Sequence, residues 1–159
     1  MIWGALAGGF AGTLVLTSML RAASELNLTR MDIPFLLGTS FSADRIRAKA
    51  IGYGLHFVAG LLFALAYYAI FRAIDESGWW LGALFGLLHG IFAGSALVNI
   101  LLPLVHPRMG TGFTSAPSVA FLEPPGFMML NYGLRTPIVA LAAHVAYGTI
   151  VGGFVSLAG

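Results

Sequence analysis

Cysteine is absent from the 159 residues, which excludes disulfides, thiolate metal sites and cysteine nucleophiles and says nothing about redox compartment. Charge is scarce: 9% of residues are Asp, Glu, Lys or Arg, against about 25% in soluble domains. No basic residue precedes the first apolar run, and the first positive side chain is Arg21. A signal peptide opens on positive charge, so this run is expected to stay attached as a membrane span. No nucleophile, base and orienting acid fall in a catalytic arrangement, and the sequence leans away from an enzyme. The GTGF stretch with Gly110 and Gly112 lacks a preceding strand and a following lysine, so it is no phosphate loop.

What is present is apolar. Hydrophobic residues make up 58% of the chain, with a mean hydropathy of +0.90. Four segments are nearly free of charge, at about 2–20, 51–71, 79–105 and 137–158. A bilayer core about 30 Å thick needs about 20 helical residues. The expected fold is therefore an all-α membrane protein: one domain, 1–159, of four transmembrane helices in an up-down bundle, with loops at 21–50 and 106–136.

The net charge of +2 and pI of about 9.3 reflect where the basic residues lie. Arg21, Arg30, Arg45, Arg47 and Lys49 fall in the first connection and Arg108 and Arg135 in the third, while Arg72 alone occupies the second. The positive-inside bias then puts connections one and three in the cytoplasm and both termini outside. Anionic lipid explains these charges without a nucleic-acid partner. Trp3, Tyr67, Tyr68, Trp79 and Trp80 are placed as an outer aromatic belt, and the short RAIDESG connection predicts a tight hairpin.

In the first loop, MDIPFLLGTSF is apolar but interrupted by Pro34 and Gly38, which predicts an interfacial segment. Ser42 is expected to cap the next helix, with Asp44 in its first turn. The second loop is too proline-rich for one helix, and its FMML is expected at the interface. Asp32, Glu123 and Arg135 can pair at the cytoplasmic surface, and Asn131 with LEPPGF shapes the loop.

Small residues recur every fourth position. Span one carries Gly4, Gly8 and Gly12, and span three carries Gly82, Gly86, Gly90 and Gly94. Gly52, His56, Gly60 and Ala64 follow the same period in span two, as do Ala140, His144, Gly148 and Gly152 in span four. Such stripes let helices approach closely in lipid. The recurrence also fits two copies of a helical hairpin related by a pseudo-twofold. Taken together, MDIPFLLG, LHFVAGLLFALAY, LLHGIFAG, HPRMG and PPGFMMLNYG resemble an uncharacterised family of small four-span bacterial membrane proteins. The resemblance covers most of the chain and implies the four-span fold and a bacterial cytoplasmic (inner) membrane, but no activity.

The histidines carry the candidate chemistry. Counting along ideal helices puts His56 about 8 Å and His144 about 10 Å from the cytoplasmic ends of their spans. They are expected to face one another or a shared cavity and, with His89, to form a candidate cofactor site: haem b between His56 and His144, or a metal with His106 as an edge ligand. His89 fits that site less well: it counts to about 24 Å, well above the pair, and is expected to serve a second site or a proton path unless Pro103 and fraying shrink the gap. The plainer alternative is packing, each imidazole bonding to Thr13, Thr17, Ser18, Tyr53, Asn99 or Tyr147. Three functions stay open: an accessory subunit or small binding protein, associating with other membrane subunits or with itself; a haem- or metal-binding electron carrier; and an oligomeric transporter or channel with a path along His89 and Asn99.

Overall fold

The computed structural model describes residues 2–109 and 122–158, so the GTGF stretch lies outside the described residues. The elements are α1 (Ile2–Glu25), α2 (Ile33–Gly38), α3 (Arg45–Ile74), α4 (Trp79–Phe92), a π-helix (Ala93–Leu101), α5 (Leu102–Val105), a short 3-10 segment (Phe127–Tyr132) and α6 (Thr136–Leu157). Among the described residues four helices are long and apolar enough to cross a membrane: Ile2–Glu25, Arg45–Ile74, Trp79–Val105 and Thr136–Leu157. The chain is an all-α, multi-pass membrane protein.

Close backbone approaches organise the bundle around α6. It packs on α1 and α4, while α1 also packs on α3. On α1, Cβ atoms at Gly4, Gly8 and Gly12 would run into Ala158, Phe154 and Tyr147, at 2.6 to 2.9 Å. On α4, Gly82 faces the Gly148 carbonyl and Gly86 that of His144, so even a methyl group would strike backbone. Gly152 faces Gly78 and Gly82 in the same way. On another face of α1, Gly9 meets Ala64, and Gly60 of α3 meets Thr13. Both glycine stripes thus serve α6, and the two hairpins are not used equivalently. Gly90 is opposed by Leu141 and His144, and Gly94 by Met128 of the loop rather than by a helix.

The connection between α3 and α4 is as short as expected, and Asp75 closes α3 in the left-handed region at φ 55°. The two helices nevertheless meet through rings rather than backbones. Phe71 and Phe85 lie 5.5 Å apart, Tyr67 and Phe85 5.7 Å, and Phe63 and His89 3.9 Å. Tyr67 is therefore an interior residue, 4% exposed, and not part of a surface belt; Trp3, Trp79 and Trp80 are exposed.

Pro34 begins α2 instead of breaking it, because the first helical turn needs no amide hydrogen there. Asp32 caps α2 through Phe35 N. Asp44, and not Ser42, caps α3: its carboxylate accepts from Arg47 N at 2.9 Å, while Ser42 Oγ accepts from Asp44 N. Helix α2 lies hard against α3, Gly38 on Ala48 and Gly52 on Pro34. The Asp32–Lys49 ion pair at 2.7 Å fastens one end. Glu123 pairs instead with Arg30, at 3.2 Å, and Asn131 Nδ2 donates to Pro124 O within its loop.

Candidate intramembrane cavity

Three spans place an imidazole in one interior space. His56 comes from α3, His89 from α4 and His144 from α6, and all three line a cavity of about 240 Å³. Its remaining wall is almost wholly apolar, with Leu16 and Leu20 on one side and Val98 and Met129 on another. Ile33, Leu36 and Leu37 of α2 contribute at the loop end. At the other end the wall includes Phe63 and Tyr147, and the Tyr147 hydroxyl donates to Gly60 O at 2.5 Å.

His56 and His144 thus share a cavity, as their depths implied, and His89 joins them. Its ring centroid is 4.8 Å from that of His144, edge to face. The counted depth of His89 misplaces it because span three runs on past the start of α6. Gly94, only five residues beyond His89, already abuts Met128 in the loop leading to α6. Equal numbers of residues from two helix ends therefore do not mean equal depth.

Each imidazole has its Nδ1 engaged. His144 Nδ1 lies 2.8 Å from Ala140 O, one turn back on its own helix. His56 Nδ1 lies 3.4 Å from Thr17 Oγ1, and His89 Nδ1 3.2 Å from Tyr67 Oη. Among the described residues no side chain or carbonyl bonds Nε2 of any of the three, and no fully buried polar side-chain atom lacks a partner. The three Nε2 atoms are thus unpaired on rings that line the cavity. Packing partners thus account for one nitrogen of each ring and leave the other available.

His106 and Asn99 stand apart from this space. His106 Nε2 lies 2.9 Å from Leu36 O and 3.2 Å from Thr39 Oγ1, and its Nδ1 accepts from Arg108 N. Nε2 pins α2 to the end of the third span and Nδ1 is taken by the Arg108 amide, so His106 does not join the other three as a ligand. Asn99 lies on a shallow lipid-side pocket with Ser95 and Phe127. Its amide donates to Gly94 O and Ser95 O, carbonyls of the π-helix. Pro103, two residues beyond that helix, has no amide hydrogen for the Asn99 carbonyl, a local reason for the wider winding. Among the described residues no three His, Asp or Glu side chains group closely enough to hold a metal ion.

A second, polar space of about 420 Å³ adjoins the first and shares His56, Leu20, Met31 and Ile33 with it. Arg21, Ser24, Asp32, Lys49 and Tyr53 supply its polar wall. The sequence contained the signals for these residues, but not for the role of α2 as a shared wall. No family model matches the chain, and no curated protein or solved structure matches it.

Proposed function

We propose that this chain is a membrane-embedded binding protein, acting as an accessory component of a larger assembly, that holds one lipophilic molecule among α1, α3, α4 and α6. The observation that carries this reading is the interior cavity, apolar on nearly every side and lined by three histidines whose Nε2 atoms have no partner among the described residues. Ligand cavities combine apolar walls with a few placed polar groups, and an intramembrane ionisable side chain marks a functional site by default. The adjoining polar space supplies a route at the α2 end. A haem between His56 and His144 has less support, since the near neighbour of His144 is a packed imidazole, His89.

Filling the space tests the reading. Ala59 lines the cavity, so phenylalanine there adds bulk to its wall. A59F is expected to abolish saturable binding of a lipophilic fluorophore while leaving the melting temperature in detergent equal to or above that of the parent. Unchanged binding would place the fluorophore elsewhere and count against the proposal. An absorption spectrum of the same preparation provides the competing outcome, a Soret band.

The basic residues orient the protein in the same proposal. With seven basic side chains on connections one and three and Arg72 alone on connection two, the α2 end faces the cytoplasm. A reporter fused after residue 76 is expected to be active only in its cytoplasmic form if this orientation is reversed, and only in its external form if it holds.

A further inference from the structure

The hydrogen-bond pattern around the cavity specifies which polar group a ligand must bring, an inference that rests on the binding reading above. A carbonyl oxygen can only accept, so the contact with Ala140 O at 2.8 Å puts the hydrogen of His144 on Nδ1. Thr17 Oγ1 spends its only hydrogen on Thr13 O at 2.6 Å, and toward His56 it can only accept. That places the hydrogen of His56 on Nδ1 also. In a neutral imidazole one nitrogen donates and the other accepts. Nε2 of both His56 and His144 is therefore a bare acceptor on a ring that lines the mostly apolar cavity. His89 takes either role, because the Tyr67 hydroxyl can donate to its Nδ1 or accept from it.

The other hydroxyls of the wall offer no competing donor. Thr13 Oγ1 donates to Gly9 O at 2.7 Å, and the Tyr147 hydroxyl is spent on Gly60 O. We propose that the cavity selects a lipophilic ligand carrying a hydroxyl donor, a phenol, over the corresponding ether, with Nε2 of His56 or His144 accepting the hydrogen bond and His89, where its Nε2 carries the hydrogen, donating to the same hydroxyl oxygen or to none. The aromatic rings of Phe63 and Tyr147 border the same space and suit a flat, ring-bearing molecule. An ether in that position would leave the acceptor facing oxygen lone pairs, and an unpaired buried polar group is costly.

The test uses the whole protein in mild detergent with an alkylphenol and its O-methyl ether, each referred to its concentration in the detergent phase. The phenol is expected to bind about tenfold tighter than the ether, the factor for a net hydrogen bond of about 1.4 kcal/mol. With nitrogen-labelled histidine, NMR is expected to show a histidine Nε2 resonance moving with the phenol and not with the ether. Because this readout uses the parent protein, it does not depend on whether a histidine variant folds. A59F should bind neither compound. Equal binding of both compounds, each lost in A59F, would overturn the donor rule and leave the binding reading intact. Tighter binding of the ether, or phenol binding that moves no histidine resonance, would likewise overturn the rule. Binding of neither compound would overturn the rule and the binding reading together, leaving a hydrated cavity.

Discussion

Replacing Gly148 by leucine is expected to destabilise the bundle by about 3 kcal/mol or more, at or beyond the upper end of ordinary overpacking. At Gly148 a Cβ would meet the carbonyl oxygen of Gly82 and both Cα and N of Gly86, at 2.8 Å for the latter two. These are backbone atoms of α4, so no side-chain rotation relieves the clash; the helices must separate. Gly153 provides the control, since it lies five residues along α6 and a Cβ there meets nothing within 4 Å. G153A is expected to melt at or slightly above the parent temperature, because alanine is the better helix former. Thermal unfolding in detergent measures both, and a G148L protein as stable as the parent would mean that α4 and α6 do not touch at this point.

The neighbouring residue carries the second large effect. Tyr147 is 1% exposed and touches every other span from its position on α6. Its ring lies against Gly12 of α1, 5.8 Å from Tyr67 of α3 and 5.8 Å from His89 of α4. Its hydroxyl donates to Gly60 O. Tyr147→Ala removes a buried aromatic ring and should cost about 3 to 5 kcal/mol. Tyr147→Phe keeps the ring and removes only the hydrogen bond, and should cost about 1 kcal/mol. The gap between the two variants in chemical or thermal unfolding measures the ring's share, and equal losses would assign the effect to the hydroxyl alone.

Both effects converge on α6, which the sequence does not distinguish from the other spans. Length and hydropathy make the four helices legible, because a bilayer imposes a minimum apolar run that few other constraints produce. The glycine period was equally visible, yet it could not show that Gly8 and Gly86 meet the same helix. A stripe specifies a face, while the partner of that face depends on the order of helices around the bundle. Counting residues from helix ends brings His56 and His144 together and misplaces His89, since the loop leading to α6 already meets span three at Gly94, well before the end of that span. The π-helix left its marks in Ser95, Asn99 and Pro103, each of which perturbs the ordinary carbonyl ladder, but these residues also occur in unbroken helices. Tyr67 shows the limit of the aromatic-belt rule: a tyrosine near a span end suits an interface, and here an imidazole inside offers its hydroxyl a partner.

The capping residues of the first connection were legible only in part. The sequence offers Ser42 as the cap of α3, with Asp44 in the first turn, and Asp32 as a surface ion-pair residue; in the structure the carboxylates of Asp44 and Asp32 accept the otherwise unpaired amides and cap α3 and α2. What remained out of reach was the tertiary use of α2. Six residues, with His106 bonded to the Leu36 carbonyl and Lys49 paired with Asp32, form a shared wall of the interior cavity and its polar neighbour. No local pattern in IPFLLG announces that role.

Native mass spectrometry of the protein, released in mild detergent from the membranes in which it was made and with no ligand added, tests the binding reading most directly. The parent is expected to carry a single lipophilic adduct, and A59F to fly as the bare polypeptide. An adduct retained equally by both, or absent from both while each remains folded, would contradict the cavity as the binding site.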